Sequence, residues 1–189
     1  MEAFWIGLVV IFVAELGDKS QLMAMTFATR FRPWPVLAGI TVATAVVHLV
    51  SVGLGRLAGD LIPTTAISVA AGLAFLGFAV WTLRGDELTD EEASRAKRAT
   101  RSAFVAVSVA FFLAELGDKT MLATITLATQ YGWFGTWLGS TVGMVAADAL
   151  AIAVGRMLGR HLPEKVIRYG AAAAFAVFGV LLLAEPLLV

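Results

Sequence analysis

The chain has 189 residues, is 59% hydrophobic and carries zero formal net charge; its mean hydropathy is +0.86. A soluble domain averages about 45–50% apolar residues even with glycine counted, so the composition is that of an integral membrane protein. The balanced charge gives no support for nucleic-acid binding, and the lack of cysteine excludes disulfides and thiolate metal sites.

The N-terminus has no basic region ahead of its apolar run, and that run continues beyond signal-peptide length, so no cleaved secretory signal is expected. A spanning helix needs about 20 mostly apolar residues. Windows of that kind predict spans near 4–28, 34–57, 64–83, 102–128, 134–157 and 167–187. Pro33 and Pro35 mark the first break, Pro63 the second and Pro163 the fourth. Residues 84–101, RGDELTDEEASRAKRATR, form the one long charged segment. Within it Thr89 and Glu92 have capping-box spacing and Glu91 precedes Arg95 by four, which predicts a short surface helix near 90–100 in a solvated linker. Trp5, Trp34, Trp81 and Trp133 fall near predicted span ends, where indoles anchor at the membrane interface.

The two halves repeat at an offset of 100. Glu15, Gly17, Asp18 and Lys19 match Glu115, Gly117, Asp118 and Lys119. Gly39, Thr41, Gly55, Arg56, Gly59 and Pro63 match the residues at 139, 141, 155, 156, 159 and 163, and Phe75 and Phe78 match Phe175 and Phe178. The expected fold is therefore an all-α membrane protein of six transmembrane helices, built as two inverted three-helix repeats. Residues 1–83 form the first repeat, 84–101 the linker and 102–189 the second repeat. Three spans per half turn the second repeat over in the bilayer, the arrangement of many secondary transporters, whose sites lie at the midplane between repeats. Charge supports the same topology. Arg30, Arg32, Arg84, the basic residues at 95, 97, 98 and 101, and Arg156, Arg160, Lys165 and Arg168 all fall on one side, and only Arg56 on the other. The positive-inside rule places that side, with the linker, in the cytoplasm and both termini outside.

The stretch AELGDKS at 14–20, and AELGDKT at 114–120, put charges in the middle of apolar sequence. Glu15 lies about eleven residues into its span, roughly 17 Å deep at 1.5 Å per residue and so near the midplane. Glu15 and Asp18 are three apart and so share one helix face, Gln21 extends it by a turn, and Lys19, four from Glu15, is within its reach. Structural ion pairs are one reading of these charges. A central charge costs roughly 2.5–3.5 kcal/mol, so six cost on the order of 15–20 kcal/mol before pairing, and apolar residues are often as stable as a buried pair. Charge balance offers another reading. Four carboxylates against two lysines leave two negative charges, which one divalent cation or two protons would neutralise. Carboxylate, amide and hydroxyl oxygens suit hard ions such as Ca²⁺ and Mn²⁺. The candidate ligands are Glu15, Asp18, Glu115 and Asp118, supported by Ser20, Gln21, Thr120, Lys19 and Lys119. Gly17 and Gly117 either break their helices to expose carbonyls or allow close packing, and the lysines are either counter-ions or structural partners. His48 and Asp148 occupy equivalent positions in the second and fifth spans and break the symmetry. Asp148 is a candidate further carboxylate or proton carrier, and an imidazole ordinarily titrates near neutral pH. Glycines four apart at 135, 139 and 143, at 55 and 59, and at 155 and 159 read as close-packing stripes. No catalytic constellation appears, so an enzyme is not expected.

The two copies, Glu15-Leu16-Gly17-Asp18-Lys19-Ser20 and Glu115-Leu116-Gly117-Asp118-Lys119-Thr120, resemble the E-φ-G-D-[KR]-[ST] signature. That signature occurs twice per chain in the Gdt-type family of membrane cation transporters, which includes Golgi calcium/manganese transporters and bacterial manganese exporters. The resemblance covers the whole chain. It implies Ca²⁺/H⁺ or Mn²⁺/H⁺ antiport out of the cytoplasm, with protons as coupling ion and no cofactor. Both motifs would form one central site in which Glu15, Asp18, Glu115 and Asp118 bind the ion while Lys19, Lys119, Ser20 and Thr120 shape it. A start almost directly at the first span fits a multi-pass protein of a bacterial plasma (inner) membrane, with the lipid bilayer and the cation as its partners. His48 and Asp148 lie outside the signature. An exporter of small organic cations or amino acids, with carboxylates holding an ammonium group, is the alternative from transport; a membrane scaffold with structural ion pairs is the alternative from outside it.

Overall fold

A computed structural model describes residues 1–61, 63–84, 103–158 and 164–188. Among them all regular structure is helical: α1 (Glu2–Glu15), α2 (Lys19–Arg30), α3 (Pro33–Leu61), α4 (Thr64–Arg84), α5 (Ala103–Glu115), α6 (Lys119–Gln130), α7 (Trp133–Leu158) and α8 (Glu164–Leu188). The expected surface helix near 90–100 and the linker beyond Arg84 lie outside the described residues. Among the described residues three helices are long and apolar enough to cross a membrane, Pro33–Leu61, Thr65–Arg84 and Trp133–Arg156.

The expected spans near 4–28 and 102–128 are not continuous helices. Each is two shorter helices joined at the motif. Gly17 and Gly117 adopt φ of 76° and 78°, a left-handed conformation that costs roughly 1–2 kcal/mol for a residue with a Cβ. Leu16, at the end of α1, is extended. The Asp18 N–H returns to the Glu15 carbonyl at 3.1 Å, and the Asp118 N–H to that of Glu115 at 3.2 Å. A new helix then starts, with Asp18 and Asp118 as N-caps. Of the two roles open to these glycines, the structure gives them the break. A Cβ on Gly117 would meet nothing within 4 Å, so space is not what requires glycine there.

The halves interlock. Helix α1 packs along α7, and its counterpart α5 packs along α3. Helix α6 lies against α3, α2 against α7, and α4 against α8. Exchanging residues 100 apart carries each of these pairings into another or into itself. At the α4–α8 seam Phe75 stacks at tilted angles on Phe175 and Phe178, with ring centroids 5.8 and 5.3 Å apart. A Cβ on Gly72 would sit 2.9 Å from the Gly179 carbonyl, and one on Gly179 would sit 2.9 Å from the Gly72 carbonyl. The stripe at 135, 139 and 143 sits against α1: a Cβ on Gly139 would collide with the Phe4 carbonyl, and one on Gly143 would lie 2.5 Å from that of Leu8. Gly55 meets the Ile125 carbonyl of α6 in the same way. Small residues thus let backbones meet where lipid provides no hydrophobic drive between helices.

The outer faces are apolar. Val9, Val46, Leu54, Leu73, Val105, Val109 and Leu181, among others, are exposed, a surface too apolar for water. Trp5, Trp34 and Trp133 are exposed as interfacial anchors would be, whereas Trp81 is half-buried against the cluster around Phe75 and Phe175. The packing yields a direct test. Gly139→Ala forces α7 away from α1 and should destabilise by about 1–3 kcal/mol. Gly77→Ala meets open space and should melt at or slightly above the parent temperature in detergent. Equal melting of the two variants would contradict the α1–α7 contact.

Candidate cation site

The two breaks bring the motif acids together by a route that a continuous helix does not offer. Glu15 ends α1 and Asp18 opens α2, so they do not share a helix face as expected. They converge across the break instead. One carboxylate oxygen each from Glu15, Asp18 and Glu115 lie within 4.8 Å of one another. Oxygens up to about 5 Å apart can share one cation with bonds of roughly 2.3–2.6 Å. Glu15, Asp18 and Glu115 are all fully buried, at 0% exposure.

Asp118 is buried too but lies outside that group of three. Its carboxylate pairs with Lys19 Nζ at 3.3 Å, while Lys119 Nζ pairs with Asp18. The lysines therefore cross: each motif's ammonium serves the other motif's aspartate. Lys19 does not turn back to Glu15, the partner that its spacing suggested. The pairs differ in environment. Lys119 is buried, and Lys19 keeps 17% of its side chain exposed. With both aspartates matched, the uncompensated charge of the two motifs falls on Glu15 and Glu115.

The hydroxyls divide their work. Ser20 donates its N–H and O–H to Asp18 Oδ2 at 3.3 and 3.1 Å. Thr120 donates its O–H to Glu115 Oε2 at 2.8 Å. Gln21 braces the break: its Oε1 accepts the Gly17 N–H at 2.9 Å and its Nε2 donates to the Ala147 carbonyl of α7 at 3.0 Å. Against this, both oxygens of Glu15 and Oε1 of Glu115 have no hydrogen-bond partner among the described residues. A buried carboxylate oxygen without a donor is costly. These unpartnered oxygens belong to two of the three residues that converge, and a cation or protons would satisfy them.

Asp148 is fully buried and interacts electrostatically with Asp18, Glu15 and Glu115. The structure thus brings it to the motif acids. His48 is buried with both ring nitrogens unpartnered among the described residues, and no described contact joins it to that group. Two contributors escaped the sequence. Met121 Sδ accepts the Gly117 N–H at 3.2 Å, where Gln21 serves the first break. Thr44 donates to Met144 Sδ at 3.3 Å; these two positions are themselves 100 apart, which was the available signal.

Comparison with known proteins points the same way. The family model described as "Divalent cation/proton antiporter GDT1" matches residues 3–90 and 103–188. A "Putative manganese exporter" of Vibrio cholerae serotype O1 is 35% identical over 178 residues, covering 93% of this chain and 87% of that protein. A "GDT1-like protein" of Synechocystis is 32% identical over 199 residues, covering 95% and 96%. "GDT1-like protein 5" of Arabidopsis thaliana is 28% identical over 222 residues, covering 98% and 97%. No solved structure matches.

The crossed pairs make unequal demands on stability. Lys119→Met strips a buried aspartate of its ammonium, a change that typically costs about 3–5 kcal/mol. Lys19→Met acts at a partly hydrated pair and should cost less. Thermal melting in detergent should therefore fall further for Lys119→Met; the reverse order would contradict the pairing.

Proposed function

The chain belongs to the GDT1 family of divalent cation/proton antiporters, and from that premise we propose that it exports Mn²⁺, and Ca²⁺ as a second substrate, from the cytoplasm in exchange for protons. It is a multi-pass membrane transporter and not an enzyme. One observation carries the reading: the meeting of Glu15, Asp18 and Glu115 within 4.8 Å, with glutamate oxygens left unpartnered between two helix breaks. Export and the preference for Mn²⁺ draw on the description of the Vibrio cholerae relative.

In this proposal α1 with α2, and α5 with α6, each make one broken span. With α3, α4, α7 and α8 these give six spans in two inverted repeats, 1–83 and 102–189, joined by the cytoplasmic segment 84–101. Both termini lie outside a bacterial plasma membrane. The reciprocal packing of helices 100 residues apart supports the repeat, and the one-sided distribution of basic residues supports the inversion. Broken helices meeting at a midplane site are the device by which inverted-repeat transporters hold ions.

The chain's residues then divide the work by charge. The lysine–aspartate pairs are internally neutral, so within the two motifs Glu15 and Glu115 set the charge that the cargo must match. One divalent cation neutralises both glutamates, and so do two protons. Exchange of one for the other never leaves a large charge exposed to hydrocarbon, where each would cost roughly 2.5–3.5 kcal/mol. Asp18 serves as cation ligand by loosening its contact to Lys119, which couples occupancy to the link between the halves.

Purified protein in liposomes loaded with a pH-sensitive dye tests this. A Mn²⁺ or Ca²⁺ gradient should drive proton movement in the opposite direction. Glu15→Gln and Glu115→Gln should each reduce that flux to background. Undiminished flux in the double variant would overturn the carboxylate site. Flux with lysine-like solutes and none with divalent cations would favour an organic-cation exporter.

A further inference from the structure

The motif acids obey the repeat, but their neighbour on α7 does not. Asp148 stands where the first half has His48. It is fully buried, and both of its oxygens lack a hydrogen-bond partner among the described residues. A polar residue kept only for packing would have its acceptors satisfied; this one does not. It interacts with Asp18, Glu15 and Glu115, yet it stands outside the group of three whose oxygens lie within 4.8 Å of one another. Asp148 is therefore next to that group and not part of it.

The backbone around it is also asymmetric. Gln21 ties the Gly17 N–H to the carbonyl of Ala147, the residue before Asp148. In the second half Met121 takes the equivalent place and receives the Gly117 N–H on sulfur. A thioether has no N–H to donate, so it cannot hold α3 as Gln21 holds α7. One turn before Asp148, Met144 meets Thr44, which fixes α7 against α3. The Gln21 contact thus ties the backbone beside Asp148 to the first break and has no copy at the second, whereas Thr44–Met144 joins equivalent positions and serves both halves alike. On the other side the equivalent group is an imidazole, a poorer ligand for a hard divalent ion than a carboxylate.

We propose that Asp148 is a fifth carboxylate of the cation path, a staging ligand that takes the hydrated divalent cation beside the Gly17 break on its way to or from Glu15, Asp18 and Glu115, so that the path is chemically one-sided. The proposal rests on the divalent-cation reading above. Asp148 adds a negative charge that neither lysine matches, and it offers two free acceptors to the ion or its water shell. The aspartate acts on the ion while the motif glutamates hold it.

Equilibrium Mn²⁺ binding by the purified full chain, read from the loss of the free aqueous Mn²⁺ electron paramagnetic resonance signal, tests the proposal without a transport assay. The parent should bind Mn²⁺. Asp148→Asn should weaken binding by about tenfold or more, as removal of outer partners of a metal site typically does, with an unchanged melting temperature. Asp148→Glu should retain most of the affinity while altering the ratio of Mn²⁺ to Ca²⁺ binding, measured by competition. Gln21→Met, which copies the second half, should fall between parent and Asp148→Asn, and it serves if Asp148→Asn does not survive purification. Parent-like affinity in Asp148→Asn, or in Gln21→Met where that is the variant read, overturns the proposal. Equal weakening by Asp148→Asn and Asp148→Glu does so too, since it marks a packing role. A parent that binds neither Mn²⁺ nor Ca²⁺ overturns the antiporter reading itself, and the staging role with it.

Discussion

An ionised carboxylate placed away from water must find positive charge nearby, and this constraint organises the molecule. Asp18 and Asp118 find it in the opposite half, through Lys119 and Lys19. For an aspartate of one motif to reach the lysine of the other, the two motifs must face each other closely. That requires α1 along α7 and α5 along α3, and those seams in turn require the glycines that let the backbones touch. The breaks at Gly17 and Gly117 complete the chain of requirements. A straight helix would aim Lys19 back along its own surface toward Glu15, whereas the left-handed glycine swings the second helix so that its first residue faces across.

The same arrangement divides the four motif acids into two kinds. The aspartates are compensated by ammonium groups, while the glutamates retain unpartnered oxygens. A binding site for a mobile charge needs both kinds. Fully compensated acids would have no use for a cation, and fully uncompensated ones would repel each other out of the core. Paired acids beside open acceptors are the combination that the proposed cation site requires.

Much of this was legible in the sequence. The 100-residue offset located the duplicated helices, the prolines at 33 and 63 stand at real boundaries, and three of the four motif acids are the ones that meet. The stripe at 135, 139 and 143 was readable as packing because helical spacing places those glycines on one face. What spacing could not supply was anything decided across the interface. Periodicity describes neighbours on one helix, so it paired Lys19 with Glu15 and placed Glu15 with Asp18 on a shared face. It treated Gln21 as a candidate ligand and gave no sign that its two polar ends also reach Gly17 and Ala147. The roles of Met121 and Thr44 were hidden for a related reason, because apolar and hydroxyl residues in apolar helices carry no charge signal.

The crossed lysine–aspartate contacts bear on ancestry. A half whose aspartate pairs with a lysine of the other half is incomplete alone, but two identical halves associating as a dimer would satisfy each other by the same contacts. Such a dimer could never place one residue type at position 48 of one copy and another at the same position of the other. A single gene carrying both halves removes that restriction. His48 and Asp148, or Gln21 and Met121, are differences that only a fused chain can keep, and in the proposed path they are what would give an otherwise self-mirroring arrangement of charge a front and a back.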